Sequence, residues 1–512
     1  MIAIHGPATS QINRFDPLYG QLVEANRRLG RKDFTLWGEK AAQEGKHRLN
    51  WLDLPTSSHT LLPELDALYA KFRWCTQIIL CGMGGSSLAP EVIASTHQRE
   101  LFVLDSTDPD YITRALDTDL ASTLIVVSSK SGSTIETASQ RALFEDQLER
   151  ENLDPKEHII FVTDPNSPLD IDARTQGYTV INADPDVGGR FSALSAYGLV
   201  PSALLGIDVS VILDSASEAL STLAKDDSPA IDLAYAIAHR TSQYCSFSDS
   251  ESEMVGLSDW IEQLLAESTG KDGVGRLPVV IETNSAPVSG ESLNIAFAGK
   301  SDLIVEASLG EHFILWEWVT ALVGYALQIN PFNQPNVTEA KEKTASLLNV
   351  SAGGQRSSTP TSVDGSVELF ESVKSIKDAL LEIIDSVSED GYIAIMAYLD
   401  RKGDEELAQL RWILADRSNR PVTFGWGPRF LHSTGQFHKG GQQNGVFLQI
   451  TGESGTVIEI PGKDFSFNTL ISAQALGDAQ TLTSRGRKVI RLHLRNRTEG
   501  ISEILTAARE II

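Results

Sequence analysis

The sequence predicts an α/β protein made of doubly wound parallel sheets with helices on both faces. Three observations carry that expectation. Short apolar runs rich in Ile, Val, Leu and Phe alternate with stretches of helical composition. Most of these runs end in Gly, Ser, Thr or Asp, as strands leading into turns do. Finally, 512 residues with 41% hydrophobic and 22% charged side chains are ordinary for a globular protein but too many for one core, so about two to four packed units follow.

Taken in order, residues 1–60 read as a mainly helical arm, because charged residues are scattered among apolar ones with little β-branched density. Residues 61–208 form a first doubly wound domain with strands at 77–81, 101–105, 123–128, 158–164 and 178–183. A second α/β domain spans 209–350, with a helix at 209–225, strands at 278–281 and 303–307, and a buried helix at 313–329. Residues 351–366 contain Gly353, Gly354, Pro360 and many hydroxyls, and read as an exposed linker. Residues 367–512 add strands at 392–398, 422–424, 445–450, 457–460 and 489–494, and helices at 404–419, 468–482 and 502–512. No short repeat recurs, which excludes a solenoid.

Lys plus Arg number 43 against 68 Asp plus Glu, a net charge of −25. That field repels nucleic-acid backbones and anionic membranes, so neither is an expected partner, and an anionic ligand needs a locally positive pocket. The apolar run 313–329 carries Glu317 and falls short of the roughly 20 residues a bilayer span needs. Cys75, Cys81 and Cys245 form no CxxC pair, and the N-terminus lacks a signal-peptide pattern, so a reducing cytoplasmic location is expected. The ten histidines lack HxH or HxxxH spacing, so a metal site is not expected.

Two loops carry chemistry. Strand 77–81 runs into Cys81-Gly82-Met83-Gly84-Gly85-Ser86-Ser87 and then a helix, with Asp105 ending the next strand. This turn admits a degenerate dinucleotide fingerprint with Asp105 on a ribose, a phosphate site built on Gly85, Ser86 and free helix N–H groups, or a tight turn without a ligand. Strand 123–128 runs into Ser128-Ser129-Lys130-Ser131-Gly132-Ser133-Thr134-Ile135-Glu136-Thr137. A helix cap needs only one hydroxyl. Two such loops after strands of one parallel sheet meet at its carboxyl edge, where Ser129, Ser131 and Thr134 can close on one phosphate. Lys130 points either to that anion or to solvent.

Gly-x-Gly-Gly-Ser followed by Ser-Lys-x-x-x-Thr-x-Glu-Thr resembles the sugar isomerase fold, specifically the glucose-6-phosphate isomerase family. Three further segments are similar to that family's motifs: Gly188-Gly189-Arg190, Gln263 to Lys271 in a Gln-x-x-x-Glu-Ser-x-Gly-Lys pattern, and Asn330-Pro331-Phe332-Asn333-Gln334-Pro335 leading to Lys341. The resemblance covers residues 81–341 and implies two sugar-isomerase domains and an aldose–ketose isomerase acting on a phosphosugar without a cofactor, as a possible homodimer. It implies Glu267 as the base that moves a proton between C2 and C1, Arg190 as the cation that stabilises the enediolate, and Lys341 with a histidine in ring opening. Gln263 and Gln334 are then hydrogen-bond partners of the sugar. Two alternatives stay open: an isomerase that also takes mannose 6-phosphate, and a non-catalytic phosphosugar-binding regulator.

One feature departs from the family pattern. Residues 268–311, where the ring-opening histidine is expected, hold no histidine, and His312 starts the buried helix. Leu431-His432-Ser433-Thr434-Gly435-Gln436 resembles the missing segment about ninety residues after Lys341. The C-terminal segment is therefore expected to complete the second domain, extending or rearranging its sheet and returning His432 to the site, where an imidazole can exchange protons at neutral pH. His438 is the rival, and a mobile lid with neither histidine catalytic is the third reading. The arrangement resembles isomerases found fused to a transaldolase, although nothing in the chain looks like an eight-stranded aldolase barrel.

Overall fold

Side chains along the central strands of the first sheet alternate between two apolar cores. In the computed structural model, which describes residues 2–288, 292–350 and 359–511, Ile78 and Leu80 join one apolar cluster while Ile79 and Cys81 join another. The same split recurs at Leu124 and Val126 against Ile125 and Val127, and at Ile160 and Val162 against Ile159 and Phe161. A strand buried on both faces needs a continuous apolar run, which is why these strands are easy to find in the sequence. The order across the sheet is Phe102–Leu104, Gln77–Gly82, Thr123–Ser128, Ile159–Thr163, Thr179–Asn182, all parallel. The connection after Gln77–Gly82 turns one way and that after Thr123–Ser128 the other. The sheet's switch point, where open α/β sheets bind ligands, therefore lies between the two loops singled out above.

The second sheet runs Ala3–His5, Leu303–Glu306, Leu293–Ala296, Tyr244–Ser248, Leu277–Val280. The first pairs antiparallel and the rest are parallel. The N-terminal arm is thus not wholly helical: helices Pro17–Gly30 and Glu39–Gly45 follow a strand that docks on the second sheet. The buried helix spans Leu309–Ala326 and starts at a capping box of Ser308 and Glu311.

Residues after 361 correct two expectations. The C-terminal segment extends the second unit by building a six-stranded sheet of its own, not by adding strands to the existing one. Its order is Ser362–Asp364, Val367–Leu369, Lys488–Leu494, Gly445–Gly452, Tyr392–Tyr398, Val422–Trp426. One face, with Ile393, Ile395, Leu448 and Leu492, has a private core. The other, with Tyr392, Met396 and Phe447, packs on Tyr244, Ala266 and Leu277 of the second unit. Residues 457–460 form no strand beyond an isolated bridge from Glu459 to Ser466; Ile458 and Ile460 instead pack into the first sheet's outer cluster. Of the expected linker, residues 351–358 lie outside the described residues and Ser362–Asp364 is a strand.

Helix Phe467–Ser484 wedges the units together. Phe467, Leu470 and Ala473 join the first sheet's outer cluster, while Ile471, Ala475, Ala479 and Leu482 face the third sheet. Gln474 sits between these two stripes.

Candidate active site

The glycines of the first loop permit a close approach of backbones. Gly84 lies at φ +56°, and a Cβ there would come within 2.7 Å of Gln263 Nε2 and 2.9 Å of the His432 carbonyl oxygen. A Cβ on Gly85 would stand 2.0 Å from the Gly189 carbonyl oxygen. The two residues thereby bring the Gly-Gly-Arg turn, the helix Leu257–Thr269 and the His432 segment against the end of one strand. The result is a cavity of about 270 Å³.

All twelve residues singled out in the sequence line this cavity: Gly85, Ser86, Ser129, Lys130, Ser131, Thr134, Arg190, Gln263, Glu267, Gln334, Lys341 and His432. Thr134 is the N-cap residue of helix Ile135–Arg150, yet its side chain makes no capping bond. Ser129 Oγ accepts from the Gly132 N–H at 3.1 Å, and Ser131 Oγ lies 2.7 Å from Ser133 Oγ, so the loop is already curled. Lys130 is partly exposed, and its ammonium pairs with Asp164 at 2.5 Å and donates to the Pro185 carbonyl at 3.0 Å.

Arg190 is fixed from every side. It donates to Ser268 Oγ at 2.7 Å, to the Pro331 carbonyl at 2.7 Å and to Gln334 Oε1 at 3.1 Å, and it stands 3.1 Å from Glu267 Oε1. Burial lowers its pKa below the ordinary guanidinium value, with Glu267 opposing that effect; an arginine remains a cation regardless. One turn before Glu267, Gln263 Nε2 lies 3.2 Å from Glu267 Oε2 and donates to the His432 carbonyl at 2.8 Å. Lys341 stands exposed on helix Val337–Val350 at the rim of the cavity.

His432 Nε2 lies 3.2 Å from Glu136 Oε1. Burial pushes the Glu136 carboxyl up, but His432, the hydrogen bond to it, the backbone and Lys341 outweigh burial and hold it below the usual carboxylate range. An ionised carboxylate only accepts, so His432 carries its proton on Nε2 and leaves Nδ1 as the acceptor of the neutral ring. The rival His438 is buried among Tyr392, Phe430 and Phe447, with Nδ1 3.0 Å from the Tyr392 hydroxyl, and lies outside the cavity lining. Burial and the nearby Lys439 and Arg487 keep it neutral. His312 is likewise buried, pushed down to about 3 by burial.

Asp105 cannot serve a ribose. It is fully buried and paired with Arg401 at 3.4 Å and with Arg429. The same two arginines hold Glu91 at 2.8 and 2.7 Å. This four-membered network anchors the Arg429–His432 turn to the first domain. Among the described residues no group of three or more His, Cys, Asp or Glu is arranged to hold a metal ion, and no helix is long and apolar enough to cross a membrane.

Sequence reasoning missed Glu136, which it quoted inside a motif without a role, and Arg48 and Glu44, which the N-terminal arm adds to the cavity wall. It also missed a second chamber of about 280 Å³ behind His432, walled in part by Glu136, Lys341, Lys439 and Gln474.

Known proteins resemble the chain. A protein of Haloarcula marismortui named probable glucose-6-phosphate isomerase is 32% identical over 302 residues, covering 57% of this chain and 66% of that protein. A glucose-6-phosphate isomerase of Thermus thermophilus is 33% identical over 288 residues, covering 54% and 66%. The chain thus spans just under two thirds of the length of these relatives. Among solved structures, a hypothetical protein from Thermus thermophilus aligns with TM-score 0.58 at 25% identity over 68% of this chain and 99% of its own. A glucose-6-phosphate isomerase from Chlamydia trachomatis shares the fold with TM-score 0.54 at 18% identity, over 69% and 89%. Residues 69–292, which hold both hydroxyl-bearing loops, Arg190 and Glu267, match the family model of phosphoglucose isomerase.

Proposed function

We propose that this chain is an aldose–ketose isomerase that interconverts glucose 6-phosphate and fructose 6-phosphate. The observation that carries the reading is one cavity in which Glu267, held 3.1 Å from Arg190, stands together with two hydroxyl-rich loops and the His432–Glu136 pair. The phosphate binds at the sheet's switch point against Ser86, Ser129, Ser131, Thr134 and the first N–H groups of the following helix. Arg48, Arg190 and Lys341 supply the local positive potential that a chain of net charge −25 otherwise denies a dianion.

His432 and Lys341 open the ring: one takes the proton of the C1 hydroxyl while the other delivers one to the ring oxygen as the C1–O5 bond breaks. Glu267 then removes the C2 proton. The C2–H pair becomes the C1–C2 double bond of an enediolate as the carbonyl pair moves onto O1, beside Arg190. That charge is absent from the ground state, so a guanidinium locked by four partners stabilises the transition state selectively. The O2 proton then passes to O1, and as the O2 electron pair closes the C2 carbonyl, Glu267 returns its proton to C1 to give the ketose. Proton transfer of this kind contributes about 10²- to 10⁴-fold. One chain supplies every residue named here.

A coupled assay offering glucose, fructose and mannose 6-phosphates tests the reading. Turnover between the first two is expected, and Glu267→Gln lowers kcat by about 10³-fold or more with phosphosugar binding nearly intact. Binding without turnover in the unmodified protein identifies a silent phosphosugar binder and overturns the proposal. Turnover of mannose 6-phosphate marks the dual-specificity alternative.

A further inference from the structure

Gln474 belongs to none of the motifs, and it reaches the site from the helix that wedges the three units together. It is almost fully buried, between the apolar stripes that face the first and third sheets. Its Nε2 donates to Glu136 Oε1 at 2.8 Å, the same oxygen that His432 Nε2 approaches at 3.2 Å. Its Oε1 accepts from the Thr107 hydroxyl at 2.6 Å, and Thr107 is itself fully buried.

The Glu136 carboxylate settles the sense of the amide. An ionised carboxylate only accepts, so the NH₂ end faces Glu136 and Oε1 is left to accept from the Thr107 hydroxyl, and a neutral side chain presents a donor and no competing acceptor to a buried carboxylate. An unpartnered carboxylate at that depth would take up a proton and become a donor, and the His432 ring would then lose the acceptor that fixes its Nε2–H tautomer.

We propose that Gln474 is a positioning residue of the isomerase site: pinned by Thr107, it keeps Glu136 a pure acceptor toward His432 Nε2, so that Nδ1 is the nitrogen that exchanges protons with the substrate. This rests on the isomerase reading and assigns a role to a helix that the reading does not use. The charged and titratable groups around Glu136 are His432 from the Arg429–His432 turn and Lys341 from helix Val337–Val350. Across the second chamber stands Lys439, paired with Asp478 at 2.6 Å, and Tyr398 lies on strand Tyr392–Tyr398. Lys341 favours an ionised Glu136, so Gln474 works with the field around it.

The test is the pH profile of kcat for fructose 6-phosphate in the full-length protein, paired with an NMR titration of the His432 imidazole that needs no turnover. Gln474→Leu keeps the volume and removes the donor. A hydrogen bond to a charged group typically accounts for one to two pKa units. Its acid limb is therefore expected to move up by about one pH unit, and the acid-side step in the His432 Nε2 signal to move with it. Thr107→Val, nearly isosteric, frees the amide to turn and gives a smaller shift in the same direction; it stands in if Gln474→Leu fails to fold. An acid limb and an imidazole titration unchanged in folded Gln474→Leu or Thr107→Val overturn the proposal, even if thermal stability falls. Failure of the isomerase reading looks different: the unmodified protein shows no turnover, and the imidazole titration alone then decides the role of Gln474.

Discussion

Glu136 and His432 lie 296 positions apart in sequence and 3.2 Å apart in space. His432→Ala is expected to slow cyclic fructose 6-phosphate about 10²-fold or more while leaving an open-chain analogue much less affected, read from steady-state rates on both; equal loss on the two rejects a ring-opening role. At this scale the sequence was informative where a scarce residue type sat in a strict pattern. Glu267 and Arg190 stood out because few arrangements put a carboxylate in Glu-Ser-x-Gly-Lys or an arginine after paired glycines. Glu136 did not, because a glutamate in the first turn of a helix ordinarily faces water and favours the helix dipole. Lys130 stood out for its neighbours, yet Asp164 holds it; an ion pair made through a different strand–loop connection leaves no local signal.

The helix Ile135–Arg150 starts at a threonine whose hydroxyl does not cap it. Thr134→Ala therefore costs little helix stability, well below the about 1 kcal/mol of a working N-cap. If the hydroxyl holds phosphate, the same change weakens phosphosugar binding about tenfold or more. Calorimetry of phosphorylated and unphosphorylated sugar, with a melting curve, separates these effects: equal loss for both sugars counts against the phosphate cradle. Among elements, doubly buried strands such as Thr123–Ser128 were plain because all six residues must be inside. Tyr244–Ser248, buried throughout, was missed because Tyr-Cys-Ser-Phe-Ser carries two serines, and Ser246 Oγ satisfies itself at 2.5 Å on Asn294. Residues 457–460 erred the other way: the alternation that reads as a strand comes from Ile458 and Ile460 packing on the first sheet's outer cluster.

Across the whole molecule, buried ion pairs join the C-terminal sheet to the first domain. Arg429 and Arg401 face Asp105 and Glu91. Burial raises the Glu91 carboxyl, but Arg429 and Arg401 overcome it and bring it down to about 2 from an ordinary 4.5. A carboxyl depressed on folding adds stability above its unfolded pKa, and that stability is lost as pH falls from about 4.5 toward 2. Arg429→Met, which strands buried carboxylates, is expected to cost about 3 kcal/mol at pH 7 and clearly less at pH 3, measured by denaturant melts at both values. An equal cost at the two pH values rejects the clamp. This level of organisation was the least legible: composition bounds the number of units, but nothing local reveals that residues 367–512 close a separate sheet and deliver His432 from it. Solvent deuterium decides the central claim most directly. With fructose 6-phosphate in D₂O, glucose 6-phosphate formed by the unmodified protein should carry deuterium at C2 by NMR and Glu267→Gln should form essentially none; equal deuterated product from both proteins would contradict the account.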